Sequence, residues 1–207
     1  MAQLFGGKEE FFYCTRFYLY CRVGYTWRFS GYYRTDRSVC SCNEPSHHIA
    51  YLYDYVGQPW KTQEITRRLL HEMYAPTPEG IIGNEDCGQM SGWYILSSLG
   101  IYSVCPGSNE FALTTPLFEK AVVNLANGKT LTILANNPKK NVYITKVELN
   151  GQPIDVNFIT YAQLMEGGDF VLLCLTSRIW REVFPLKHPL IPILKMKSFP
   201  FPMWIRI

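Results

Sequence analysis

At Pro106 the periodicity of the chain changes, and this limits the fold more than any other feature. Upstream, apolar residues recur three and four apart. Residues 45–56 (PSHHIAYLYDYV) put Ile49, Leu52, Tyr53 and Val56 on one face, which predicts a helix ended by Gly57 as a glycine cap. Residues 61–74 predict a second helix, with Thr62 as its cap, Ile65, Leu69, Leu70 and Met73 as its buried stripe, and Pro76 and Pro78 as its stop. Residues 89–99 (QMSGWYILSSL) predict a third, ended by Gly100. Downstream of Pro106, short alternating runs at 111–113, 121–124, 130–134, 142–149 and 170–173 read as strands. Asn127-Gly128 and Asn150-Gly151 are hairpin-turn signals between them, and 160–165 reads as one helical turn. Helices first and antiparallel strands after is an α+β order. Three helices and a small sheet make a modest core, and an acidic motif opens the first helix directly. Further structure upstream is therefore expected, with this chain as the C-terminal end of a larger protein.

The chain has 207 residues, 47% of them hydrophobic, with 20 Lys+Arg against 17 Asp+Glu. That composition excludes a disordered, collagen-like or coiled-coil chain. It has no run of 18 apolar residues to span a membrane, and MAQLFGGKEEFF lacks the basic and apolar regions of a signal peptide. The net charge of +3 is unevenly placed. Residues 12–42 hold five Arg, six Tyr and four of the seven Cys but no Ala, Ile, Lys or Glu, for a charge of +4. Residues 175–207 hold five Pro and six Lys+Arg against one acid, for +5. The remaining body has 9 basic and 15 acidic residues, a charge of −6. Neither odd stretch carries a helical face or sustained alternation, and the tail's prolines exclude a helix or central strand. A basic-aromatic nucleic-acid segment and a zinc site from Cys14, Cys21, Cys40 and Cys42 are two readings of the first stretch. The spacing matches no zinc knuckle and no His lies among these cysteines. Both readings are the less favoured ones, and no nucleic-acid partner is expected.

Two loops rich in carboxylates and amides open helices. One is Asn43-Glu44-Pro45, followed by His47 and His48; the other is Asn84-Glu85-Asp86, followed by Cys87, Gly88 and Gln89. Taken singly, each is explained by helix capping, which Asn and Asp perform and which acids favour through the helix dipole. Two such loops in one short region fit a polar site better. Their oxygen donors suit Ca²⁺, and paired carboxylates suit glycoside hydrolysis, in which one activates water and another protonates the leaving oxygen. His47 and His48 are candidates for sugar hydroxyls, unless His48 simply packs. Trp60 is a candidate for stacking on a sugar ring, whereas Trp93 lies on a helix face and reads as core.

The blocks NEPSHHIAYLYDYVGQPWKTQ and GNEDCGQMSGWYILSSLGIYSVCPG resemble the signature blocks of glycoside hydrolase family 92, calcium-dependent exo-acting α-mannosidases. FALTTPLFEKAVVNLANGKTLTI, VYITKVELNGQPI, FITYAQLMEGGDFVL and MAQLFGGKEEF resemble the family too. The resemblance implies the C-terminal part of an (α/α)₆ barrel catalytic domain over 43–105, followed by a β-rich region over 106–173, with 1–11 a remnant of the barrel upstream. It implies inverting release of mannose from glycans, with Asp86 as general base and Asn84 helping to hold the water. It further implies Asn43 and Glu44 as Ca²⁺ ligands, and His47, His48, Trp60 and Glu85 as substrate contacts. The family's general acid lies upstream of Asn43 and has no counterpart here, so the chain alone is expected to be inactive. Relatives are periplasmic or secreted.

The resemblance also bears on the odd stretches. Where relatives carry a segment like DITGLIGQYAHG, this chain has GYYRTDRSVCSC at 31–42. Degenerate codons for that peptide, read one base later, permit Asp-Ile-Thr-Gly-Leu-Ile-Gly-Gln-Tyr-Ala-His. The tail from Cys174 likewise permits Met-Ser-Asp-Lys-Pro-Asn-Met, the family's own ending. The hypothesis is that 12–42 and 174–207 are read out of frame; sequencing the locus tests it, and DNA that does not yield those peptides in shifted frames refutes it.

Overall fold

The computed structural model describes residues 44–78, 80–81 and 84–177. Asn43, the stretch 12–42 and the tail from 178 lie outside the described residues. Between those limits the order is α+β, as the change at Pro106 predicts.

The first helix differs from expectation. Two 3₁₀ turns, Glu44–Ser46 and Ile49–Tyr51, lead into a single α-helical turn, α1 (Leu52–Tyr55). Ile49, Ala50, Tyr51 and Tyr53 are all buried. Three consecutive residues of a 3₁₀ turn point about 120° apart, so the burial of Ile49, Ala50 and Tyr51 together means that the turn is enclosed on all sides rather than lying with one face on the core. Its bonds are His47 N–H to Glu44 O (3.1 Å) and Tyr51 N–H to His48 O (3.0 Å). Gly57, at φ +71°, ends the segment as expected.

Helix α2 (Pro59–Glu72) begins earlier than expected, because Pro59 at its first position needs no N–H partner. Thr62 is therefore no cap: it sits inside the helix, fully buried. Leu69 and Leu70 are buried as foreseen, but so are Gln63 and Thr66. This polar face forms the seam to the strands. Thr66 Oγ1 donates to Thr62 O (2.6 Å) and lies 2.6 Å from Thr114 Oγ1, and Gln63 Oε1 accepts from Ile144 N–H (3.2 Å). The helix ends before either proline. Helix α3 (Gln89–Ser98) matches its sequence pattern, and Gly100 closes it at φ +88°.

Strands β1 (Ile101–Tyr102), β2 (Glu110–Leu113) and β7 (Phe158–Thr160) form one antiparallel sheet, ordered β1-β2-β7. Strands β3 (Lys120–Asn124), β4 (Thr130–Ala135), β5 (Tyr143–Leu149), β6 (Gln152–Pro153) and β8 (Gly168–Leu175) form a second, ordered β3-β4-β8-β5-β6. Both Asn-Gly pairs make hairpins, β3–β4 and β5–β6. At the second, Asn150 (φ +53°) and Gly151 (φ +76°) are both left-handed, as a type I′ turn requires. The expectation of an all-antiparallel set is corrected at one point: β8 pairs β4 in parallel while pairing β5 antiparallel. The crossover that permits this carries helix α4 (Tyr161–Glu166), whose capping box joins Thr160 and Gln163.

Phe170, Leu172 and Cys174 point from β8 into a core with Leu131, Ile133, Ile144 and Val147. A second core, around Tyr51, Leu69, Trp93 and Tyr102, joins the helices to the three-stranded sheet. Burying each such Leu, Ile or Phe side chain contributes roughly 1.5–3 kcal/mol.

Candidate functional site

The two carboxylate loops lie 40 positions apart in sequence and meet at the N-terminus of α3. The left-handed residues Cys87 (φ +54°) and Gly88 (φ +78°) turn the chain into that helix. Its first N–H groups have no partner inside the helix and need one outside. Glu85 supplies it: Oε1 accepts from Met90 N–H (3.0 Å) and Oε2 from Ser91 N–H (3.0 Å), with the Ser91 hydroxyl on Oε2 as well. Glu85 thus performs the capping that such a loop offers, from an exposed position. Asn84 and Asp86 are exposed on the same loop, and the Asp86 carbonyl accepts from Gln89 N–H (3.1 Å).

From the other loop, His47 reaches across. Its Nε2 lies 3.1 Å from Met90 Sδ, its Nδ1 3.4 Å from Gln89 Nε2, and its carbonyl accepts from Trp93 Nε1 (3.2 Å). The His47 ring is only 2% exposed. Burial lowers its pKa to about 4, with the Glu85 charge opposing and the neighbouring His48 adding to the drop. Burial lowers the pKa of half-buried His48 too. Beneath His47 the rings of Tyr74 and Trp93 stack at 5.8 Å, and those of Tyr51 and Tyr102 at 4.8 Å, in the second core. Trp93 is core, as its place on the helix face suggests.

The structure therefore brings His47, and with it the turn that carries Glu44 and His48, against the first turn of α3 that follows the Asn84–Asp86 loop. Trp60 lies at the second position of α2, where the Lys61 ammonium lies 5.2 Å from its ring centroid. Gln89, Met90 and Tyr102 take part and were not foreseen; the signal for Gln89 and Met90 was their place at the first turn after the acidic loop. Glu44 is half-buried and offers hard carboxylate oxygens of the kind Ca²⁺ takes, six to eight at a time. Among the described residues no three His, Cys, Asp or Glu side chains converge on a metal position.

Comparison with known proteins places this geometry. The model of the glycosyl hydrolase family 92 catalytic domain matches residues 1–174. An uncharacterized secreted glycosidase of Arthroderma benhamiae is 30% identical over 134 residues, 63% of this chain and 17% of that protein. A family GH92 α-mannosidase of Bacteroides thetaiotaomicron, solved in complex with mannoimidazole, is 36% identical with a TM-score of 0.66, over 70% of this chain and 19% of that one. A family GH92 inverting mannosidase of the same organism is 38% identical with a TM-score of 0.62, over 70% of this chain and 21% of that one. The chain spans about a fifth of the length of these relatives. With matches to a family model over most of its length, and a fold shared with two solved members, the chain belongs to glycosyl hydrolase family 92.

Proposed function

We propose that this chain supplies part of the active site of an inverting, calcium-dependent α-mannosidase that releases mannose from glycans in a periplasmic or extracellular setting. The observation that carries the reading is the meeting of the Glu44 turn and the Asn84–Asp86 loop at one helix end. Asp86, exposed beside a rigid two-residue turn, takes a proton from the attacking water as general base, and Asn84 orients that water. Asn43 and Glu44 would hold Ca²⁺, which would supply Lewis-acid binding of adjacent sugar hydroxyls and so favour a distorted ring. His48, Trp60 and Glu85 shape the sugar subsite, along with the surroundings of His47. The described helices are the C-terminal part of an (α/α)₆ barrel, and the two sheets its β-rich end. The general acid that protonates the leaving oxygen comes from upstream, so the chain by itself turns nothing over.

The test is hydrolysis of an aryl α-mannoside with Ca²⁺ and with chelator. The chain alone should give no turnover. A Bacteroides mannosidase carrying residues 43–177 in place of its own matching segment should give chelator-sensitive hydrolysis, and Asp86→Asn should abolish it. Turnover by the chain alone refutes the upstream acid, and an active Asp86→Asn protein refutes the base.

A further inference from the structure

Every polar atom of the His47 side chain is spoken for, and its partners decide where its proton sits. Met90 Sδ, 3.1 Å from Nε2, is a thioether with lone pairs and no hydrogen, so Nε2 must donate. The Gln89 side-chain amide, placed with Nε2 3.4 Å from Nδ1, is consistent with Nδ1 as the acceptor. Met90 requires this tautomer and the placement of Gln89 fits it. The same Gln89 nitrogen lies 3.5 Å from the Tyr102 hydroxyl, which ties the pair to β1. The His47 carbonyl takes Trp93 Nε1 one helical turn further along α3. His47 therefore grips the first turn of α3 at residues 89, 90 and 93, while Glu85 holds Met90 and Ser91 from the loop side. Between these grips lie only Asp86 and the two left-handed residues, so little slack remains.

We infer that His47 is a positioning residue which, as its Nε2–H tautomer, fixes the Glu44 turn against the first turn of α3 and so sets where Asp86 stands relative to Glu44. The importance of that spacing rests on the reading of Asp86 and Glu44 given above. The strut itself does not. A ring 2% exposed, with both nitrogens engaged, offers no edge to a sugar hydroxyl. Half-buried His48 is left as the histidine on this turn with surface to offer.

The experiment uses the full 207-residue chain labelled with ¹⁵N. Long-range ¹H–¹⁵N NMR of the imidazoles should show His47 as a single Nε2–H tautomer with a slowly exchanging proton. An Nδ1–H tautomer, or an average of the two, overturns the inference. His47→Phe fills the space without the hydrogen bonds and should shift the amide signals of Glu44, Glu85, Asp86 and Gln89 together, leaving those of β3 and β4 in place. His47→Gln, whose amide can donate to Met90 and accept from Gln89, should return them towards wild type. Loop signals that ignore His47→Phe, or that His47→Gln does not restore in a folded chain, also overturn it. The mannoside assay decides the enzymatic reading separately, because these signals need no turnover.

Discussion

Replacing Asp54 by Asn removes a carboxyl that the fold encloses on α1, 3% exposed. Its Oδ1 accepts from Asn157 Nδ2 at 2.6 Å, a bond spanning 103 positions that joins the helical half to the approach of β7. Its Oδ2 has no hydrogen-bond partner among the described residues, although the Thr62 hydroxyl lies alongside and favours the charged form. Burial dominates and raises the Asp54 pKa well above its ordinary value. The sign follows from linkage. Between about pH 4, where an unfolded Asp titrates, and the raised native pKa, the folded chain holds a proton that the unfolded chain has lost. This stability is fully present below about pH 4. It falls by up to about 1.4 kcal/mol per pH unit as pH rises, until the native carboxyl itself ionises. Tyr51 and Tyr55 feel the Asp54 charge, and burial raises the pKa of both, so neither titrates in that window. In Asp54→Asn the amide oxygen keeps the Asn157 bond and a neutral NH₂ replaces Oδ2. The variant should be more stable at pH 7 by at least about 1 kcal/mol, the lower end of the cost of a buried unsatisfied polar group. The gap should close near pH 4. Urea unfolding followed by Trp fluorescence from pH 4 to 8 measures it. Parallel pH profiles for the two proteins, or a less stable variant at pH 7, refute the reasoning.

Other outcomes follow from single contacts. Glu85→Ala frees the N–H groups of Met90 and Ser91 and should cost about 1 kcal/mol of unfolding free energy, most of it recovered by Glu85→Gln. A Cβ at Gly88 meets nothing within 4 Å, so Gly88→Ala should cost only the left-handed backbone, about 1 kcal/mol. Gly100→Ala adds to that penalty a Cβ 2.8 Å from both Pro116 Cγ and Thr114 O, so it should lower the melting temperature well beyond Gly88→Ala. Burial pushes the Cys174 thiol up to about 12, while Cys87 and Cys105 are exposed. Peptide mapping after native alkylation should find Cys87 and Cys105 modified and Cys174 modified only in denaturant.

Much of this was legible from local chemistry. Asn150-Gly151 marks a hairpin because both residues must take positive φ, and both do. Thr160 and Gln163 have the spacing of a capping box and form one. Strands β3, β4 and β5 fall within a residue of their alternating runs. What stayed hidden depends on contacts between distant segments. Thr62 reads as a cap, and nothing local marks Gln63 or Thr66 for the interior, yet all three are buried because Thr114 and the Ile144 backbone meet this face. Strands β1, β6 and β7, of two or three residues, are too short to show a period and exist only through pairing. The parallel alignment of β8 with β4 is set by the path of the connection, which alternation does not encode. At the site, the motif residues were visible as a class. The division of labour between Glu85, which caps, and Asp86, which stays exposed, needed the coordinates of α3.

Strand β8 has a consequence for synthesis and for the gene. It is the last strand of the described chain and the middle of its sheet, so β3–β4 and β5–β6 emerge from a ribosome as two hairpins that do not touch edge to edge. Residues 168–175 then unite them and deliver Phe170, Leu172 and Cys174 to the core in one step. A change of reading frame at residue 174, as hypothesised for the tail, leaves Phe170 and Leu172 of this wedge in place. The same change before Gly168 removes the central strand, exposes four strand edges instead of two, and turns a packed sheet into a pair of hairpins prone to pair with other chains.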